Sequence, residues 1–506
     1  MSCGVCRSPG CSAQLAYGEQ RRRIEREEGR VPLTRLAVTT TRIPLSPEDV
    51  NSSRRRSRRL WQVLPRLKLL PSSPITVTAT SLSPAFPSEC AERGKKTKWS
   101  SNKTVDVTTL GNLCVDIVLN VPQLPPASVE EKFTYMKRLV AAPPDESYWE
   151  GGGNCNLTIA GARLGLHCVT LGHVGNEKFG HFLHRVLENE GIEHVDIQAE
   201  DNSPIGDDDY DGSTLVCWVL VDPSHQHAFC SRFDFNKNPA FSRIKQLPAG
   251  AKSVIQKSKA LFVNGFAFDE LAPSVVLDAM MCAQEAGCAV AFDPGPRAHT
   301  LFRSTVHNRN ILEQLLCLCD ILLLTADEAE VLTGMADPQA SATALLSRGK
   351  FSRGKWVVLK LGADGCLIAT SEGIYGAPAF KVDVVDTVGC GDSFAAAVML
   401  GYIMRVSVPI TTTIALANAV GAATAMGQGA GRNVASAAKV TDILSGIQQQ
   451  QGKDSEEHLS ISSFGTIMPD ASPVKPFSIP MHTAAHDALN LLNVTLNKSH
   501  SSEMLV

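Results

Sequence analysis

From Thr104 to about Ile447, short apolar runs alternate with amphipathic stretches, and few architectures accommodate that rhythm. Val169 to Gly172, Ala260 to Asn264, Ala289 to Asp293, Ile321 to Leu324 and Trp356 to Leu361 read as strands. Between and before them, Phe179 to Glu190, Ser274 to Ala286, Asn308 to Cys317 and Asp327 to Thr333 carry helical periodicity. Strands that return through helices must lie parallel, with helices on both faces. The expected fold class is therefore α/β: a three-layer α/β/α sandwich around a mostly parallel sheet. One region breaks the pattern. Ser213 to Val221 and Gln226 to Asp234 are β-runs around an Asp222-Pro-Ser turn, after the acidic loop Asp207 to Asp211, with no helix between them. With the strands near residues 105 to 120 they are expected to form a small β-sheet lid, its strands within about 104–135 and 210–235. Three helices close the region: Asp392 to Ile403, Ile410 to Met426 with Pro409 in its first turn, and Ala435 to Ile447.

The flanks differ in kind from this central region. Residues 1–103 hold 20 Lys and Arg against 8 Asp and Glu, whereas the remainder holds 28 against 43. The leader, rich in Arg, Ser, Thr and Pro, lacks periodicity and is expected to be disordered, with the composition of an organelle transit peptide between Asn51 and Pro87. Import into a plastid is the expected localisation, with the cytosol or a mitochondrion as alternatives. A body this acidic is a poor non-specific partner for nucleic acid. No run approaches the roughly 18 apolar residues of a membrane span, so no membrane partner is expected. Residues 448–506 read as a largely disordered tail in which Ala485 to Val494 can form a short helix.

Fifteen cysteines, eleven of them beyond the leader, lie mostly singly in apolar stretches, which fits reduced, buried thiols. Neither Cys3-x-x-Cys6-x4-Cys11 nor Cys317-x-Cys319 has the second ligand pair of a structural zinc site. His225-Gln-His227 reads as a hairpin tip.

Asp386-Thr-Val-Gly-Cys-Gly-Asp392 carries the most chemistry. Gly389 and Gly391 sit where a loop turns into an Ala-rich helix, so successive N–H groups and the positive end of the helix dipole can converge on an anion. Asp392 stands at the mouth of that site, placed to take a proton from an attacking hydroxyl. A glycine turn with an Asp cap explains the same residues without chemistry.

Four further segments in order make the chain resemble the ribokinase (pfkB) family of carbohydrate and nucleoside kinases, from about residue 104 to 447. They are Gly111-Asn-Leu-Cys-Val-Asp116; Glu150-Gly-Gly-Gly-Asn-Cys-Asn156 running into Ala162-Arg-Leu-Gly165; Thr325-Ala-Asp-Glu328 continuing to Gly334; and Lys360-Leu-Gly362-Ala-Asp-Gly365. The resemblance implies a ribokinase-like sandwich and an ATP-dependent phosphotransferase acting on a hydroxyl, by expectation primary, of a small sugar, nucleoside or polyol. It implies Asp392 as base; Gly389, Cys390 and Gly391 as anion hole; and Asp116, Gly151, Gly152 and Asn156 on the acceptor. Lys360, Gly362, Gly365, Thr387 and Asn418 fall on the nucleotide. Glu328 would hold Mg2+ through water, and Asp386 would border a monovalent-cation site for K+. A homodimer through the lid sheet is a separate expectation. A catalytically silent relative acting as an organelle scaffold or regulator is the alternative; the retained Asp392 and both glycines argue against it.

Local readings compete at single residues: Asp116 as a turn acid, Asn156 as a helix-entry cap, Glu328 as a first-turn helix acid. Two positions depart from the family pattern. Cys390 replaces a small residue in a setting expected to favour thiolate and oxidation, and Thr325 stands where Asn is common.

Overall fold

The computed structural model describes residues 99–125, 129–141, 143–197, 212–224, 227–235, 239–303, 306–348, 354–450 and 481–503, all within the unit Ala85–Val506. The leader with its Arg run and first cysteine cluster, the loop Asp207 to Asp211, His225 and residues 451–480 lie outside them.

Among the described residues, thirteen strands form two sheets: β1 (Val105–Leu110), β2 (Leu113–Asn120), β3 (Trp149–Gly153), β4 (Cys168–Gly172), β5 (Glu193–Asp196), β6 (Leu215–Val221), β7 (His227–Ser231), β8 (Ser258–Asn264), β9 (Ala289–Asp293), β10 (Ile321–Thr325), β11 (Trp356–Lys360), β12 (Cys366–Thr370) and β13 (Gly373–Ala377). The large sheet has nine strands in the order β13-β12-β11-β10-β9-β8-β1-β4-β5. It is parallel from β11 to β5, and β12 and β13 join its edge antiparallel.

Why its central strands are continuous apolar runs follows from burial on both faces. Along β8, Phe262 enters one core, whereas Leu261 and Val263 enter the other; along β9, Ala291 and its neighbours Val290 and Phe292 divide in the same way. The first core is covered by helices that include Asn154–Arg163, Cys390–Ile403 and Ile410–Ala425, the second by Pro273–Glu285, Val306–Leu318 and Ala326–Thr333. This is the expected α/β/α sandwich.

A second sheet, ordered β3-β2-β6-β7, is mixed: β2 and β6 run parallel, and the outer pairs are antiparallel. The chain leaves β1 in the large sheet and enters β2 in the small one across Gly111 and Asn112. Two parts of the lid expectation are thereby corrected. β1 belongs to the large sheet, because its Val107 and Leu110 are wholly buried between the two helical layers. β3, which lies outside the expected lid ranges, supplies one edge of the small sheet. Its Trp149-Glu-Gly-Gly-Gly has little strand propensity, and pairing with Leu113 to Ile117 holds it extended.

The helix expected at Ala485 to Val494 is present and longer. Met481–Glu503 is a 23-residue helix. Ala484, Ala485, Ala488, Leu491, Leu492 and Thr495 form its buried stripe at helical spacing, packed into the first core. Polar residues on the other faces mask that stripe in the sequence. No helix among the described residues is long and apolar enough to cross a membrane.

Candidate active site

Ligands of open parallel sheets gather beyond the carboxyl ends of the strands. Asp293, Thr325 and Lys360 end β9, β10 and β11, and the loop 386–391 comes to this same edge.

Gly389 caps the helix Cys390–Ile403 with φ +78°, a left-handed conformation, and a Cβ there would meet the Cβ of Ala430 at 3.1 Å. The Cys390 amide donates to the Thr387 carbonyl at 3.3 Å. The amides of Gly389, Gly391 and Asp392 take no acceptor among the described residues, as the first N–H groups of a helix commonly do not. Asp386 holds the loop in shape: its carboxylate accepts from the amides of Val388 (3.0 Å) and Gly429 (2.8 Å) and from Nε2 of His227 (2.9 Å).

Asp392, partly buried in the first turn of that helix, accepts from Nδ2 of Asn156 at 3.1 Å. Burial, and next the Asp293 charge, push its carboxyl up to about 6, against the lowering pull of Asn156 and Lys360. Asp116, on β2, is 5% exposed, and burial raises it to about 7; the thiol of Cys114 at 3.3 Å lowers it, and the charges of Asp392 and Glu150 raise it. Both Asp carboxyls therefore titrate near neutrality.

Asp116 also explains Gly152. A Cβ on that residue would lie 2.1 to 2.4 Å from the Asp116 carboxylate, so the missing side chain makes room for this acid. Gly151 faces Gly431, whose own Cβ would come within 2.6 Å of the Gly151 nitrogen. Gly152, expected to admit a sugar to the backbone, thus has a second reason to lack a side chain, the Asp116 carboxylate. Asn156, too, is bound on both sides, since its Oδ1 accepts from the Gly431 amide at 2.8 Å. Gly153, not Asn156, caps the helix Asn154–Arg163, and Asn156 bridges Asp392 and Gly431.

On the other side, Lys360 Nζ lies 2.5 Å from Asp293 Oδ2 and 3.6 Å from where a Gly391 Cβ would be. Burial pulls the ammonium pKa down, but the charges of Asp293 and Glu328 more than offset this and leave it above its usual value. Glu328 forms a reciprocal capping box with Thr325: its Oε2 accepts from the Thr325 amide at 2.8 Å, and Thr325 Oγ1 accepts from the Glu328 amide at 3.3 Å. Its carboxyl is raised, first by burial and then by Asp293. The first-turn reading of Glu328 is therefore real, and Thr325 acts as the cap.

Gly362 has open space where its side chain would be, and Gly365, with φ +91°, passes so close to the Ala377 carbonyl that a Cβ cannot fit. Asn418 donates to the carbonyls of Ala377 (3.3 Å) and Pro378 (3.0 Å), which ties the strand end after β13 to its helix. The side chain of Thr387 is exposed.

One expectation fails here on physical grounds. Burial pushes the Cys390 thiol up to about 12, with the Asp386 and Asp392 charges adding to it, so this cysteine is held protonated rather than activated. Asp386, expected to border a monovalent-cation site, directs its carboxylate at the N–H donors of Val388, Gly429 and His227. Sequence reasoning missed Asp293, although it closes a predicted strand, and the Glu150–Arg432 pair, whose members lie 282 residues apart.

A parallel sheet with a lid, and an acid behind unbonded amides at a helix start, define a class of α/β phosphotransferases. The family described as pfkB family carbohydrate kinase matches residues 106–437, and the chain belongs to that family of kinases. It is similar to 5-dehydro-2-deoxygluconokinase 1 of Bacillus cereus, with 26% identity over 62% of this chain and 86% of that protein. Fructokinase-1 of Zea mays is 25% identical over 67% of this chain and 97% of its own length. Among solved structures, a putative ribokinase II from E. coli in complex with ATP and Mg2+ shares the fold with a TM-score of 0.51 and 19% identity, over 68% of this chain and 99% of that one. The ribokinase-like fold and the family expected from the motifs are thus borne out.

Proposed function

We propose that the chain transfers the γ-phosphate of ATP to a hydroxyl, primary by preference, of a small sugar or sugar acid, with Asp392 as the base. The observation that carries this reading is the setting of Asp392: partly buried, raised to about 6, fixed by Asn156 and placed in the first turn behind unbonded amides. A carboxyl titrating just below neutrality is ionised at physiological pH yet basic enough to take a proton as the hydroxyl attacks. The amides of Gly389 and Gly391 and the Lys360 ammonium, poised over Gly391, are the groups that meet the charge on the transferred phosphoryl. Asp116, charged above about 7, orients the acceptor hydroxyls.

Magnesium, when bound, neutralises phosphate charge; Asp293 and the remaining oxygen of Glu328 have the hard-donor chemistry to hold it, in part through water. The named sugar kinases among the relatives favour a sugar acceptor over a nucleoside. The test is the purified chain with ATP and magnesium against D-fructose, D-ribose and 5-dehydro-2-deoxy-D-gluconate, beside Asp392→Asn. The variant should lose about 100- to 10,000-fold in kcat. A wild-type protein that phosphorylates no sugar sinks the reading and favours a silent relative; an active Asp392→Asn sinks the base assignment.

A further inference from the structure

We propose that His227 is a positioning residue that makes the geometry of the phosphate loop conditional on the lid. It opens β7 on the edge of the lid sheet, opposite Val221 of β6. Its Nε2 lies 2.9 Å from Oδ1 of Asp386, and the two side chains are 14% and 5% exposed. A carboxylate only accepts, so the imidazole donates.

Asp386 is where this contact gains its reach. Oδ1 also accepts from Val388, inside the phosphate loop, and Oδ2 from Gly429. One carboxylate therefore joins a lid strand, the loop that starts the helix of Asp392, and the turn leading to Gly431 and Asn156. The polar contact lies beside an apolar seam in which Val219 and Val221 of β6 pack on Val388 and Ala430, with Val118 of β2 alongside. Phe229, two residues along β7, stacks on the imidazole with centroids 6.4 Å apart and planes 20° apart. A polar link next to a packed seam fixes both distance and direction, and the amides of Gly389 and Gly391 lie only a few bonds beyond it.

The consequence follows from the competition with water. A kinase whose loop is formed before its lid has closed over the acceptor hydrolyses ATP without transfer. Anchoring the loop to the lid through His227 ties a competent anion hole to a closed acceptor site. This rests on the phosphotransferase reading above, but the anchoring itself has a readout of its own.

The experiment compares full-length wild type, His227→Ala and His227→Gln, the last keeping an N–H donor at similar reach. Transfer from ATP to D-fructose, D-ribose and 5-dehydro-2-deoxy-D-gluconate, ATP hydrolysis without acceptor, and amide hydrogen exchange across residues 386–392 are measured. His227→Ala should lower kcat about 10- to 100-fold, as misplacing catalytic groups by about an ångström does. KM for ATP should stay within about threefold, since binding shared by ground and transition states is kept. The share of ATP hydrolysed without transfer should rise, loop exchange should speed up, and His227→Gln should restore all three. Wild-type kcat and exchange in His227→Ala overturn the proposal, as does a glutamine variant as impaired as alanine. Should wild type phosphorylate no sugar, the functional reading fails, and loop exchange alone decides whether His227 anchors the loop.

Discussion

The phosphate loop and the lid sheet meet at Asp386, yet they are built in opposite ways. The loop is local: a left-handed glycine, a helix start and a carboxylate folded back on Val388 fit within residues 386–392. The lid works at long range, for His227 reaches Asp386 across 159 residues and Glu150 reaches Arg432 across 282. Local geometry supplies the donors of an anion hole, and under the proposal above the His227 contact from the lid completes their alignment. Long-range geometry gives an acceptor site that exists only when the whole domain is assembled. Substitutions in the two regions should therefore fail differently, the loop losing chemistry and the lid losing alignment.

The largest break on the lid side is Gly152→Ala. Its new Cβ would fall inside van der Waals contact with the whole Asp116 carboxylate, so this acid or β3 must move. Overpacking of this kind costs about 1–3 kcal/mol, and loss of acceptor alignment should cut kcat/KM about 100-fold. Asp116→Gly in the same chain empties the clash. Denaturant unfolding should show the double variant recovering the stability that Gly152→Ala loses, and no recovery would mean that Asp116 is not what excludes a side chain there.

Such non-local reasons set the limit of what the sequence makes legible. The apolar runs of β8 to β11 announce themselves, because strands buried on both faces need no partner to be recognised. The loop 386–392 is equally plain, since its glycines and acid act within seven residues. β3 is not, because its glycines are extended only through pairing with β2. Nothing local to Gly152 tells that Asp116 occupies the space of its side chain. Nothing local to Asn156 tells that Gly431, from the far end of the domain, takes its oxygen. Asp293 was within reach: an acid closing an apolar strand run is a site signal in an α/β sheet. The stripe on Met481–Glu503 has helical spacing, yet only the surface it covers distinguishes it from a polar tail.

The next effect is a pH dependence that separates the two sides. Asp392 must be ionised to accept a proton, and its carboxyl is raised to about 6, so kcat should fall close to tenfold per pH unit below that value. Asp116, raised to about 7, adds a loss of acceptor affinity that begins at higher pH. The two carboxyls interact, so the profile reports the pair. For stability the sign is reversed. Each folded-state pKa lies above the unfolded value of 3.8, so folding favours the neutral form. That contribution is whole below about pH 4 and is lost as pH climbs through 6 to 7. Asp392→Asn should accordingly be no less stable than wild type at pH 8, by thermal unfolding, while nearly inactive. A variant that unfolds earlier at that pH would show that the carboxylate is stabilised in place, contrary to the burial argument.

The smallest effect tests the lid edge alone. Arg432 donates to both oxygens of Glu150 and to the Trp149 carbonyl, but its side chain is 48% exposed. Solvent screens such a pair, so Arg432→Met should cost no more than about 1 kcal/mol in unfolding. The backbone around it matters more, because the Arg432 amide also donates to Glu150, and Gly431 holds Asn156. Loosening the side chain should therefore raise KM for the sugar a few-fold and leave KM for ATP alone, since Lys360 at the end of β11 and Gly365 in the turn before β12 make no contact with Arg432. Equal changes in both constants would mean that the two sides of the site are not held independently, and the contrast between local loop and long-range lid would not survive.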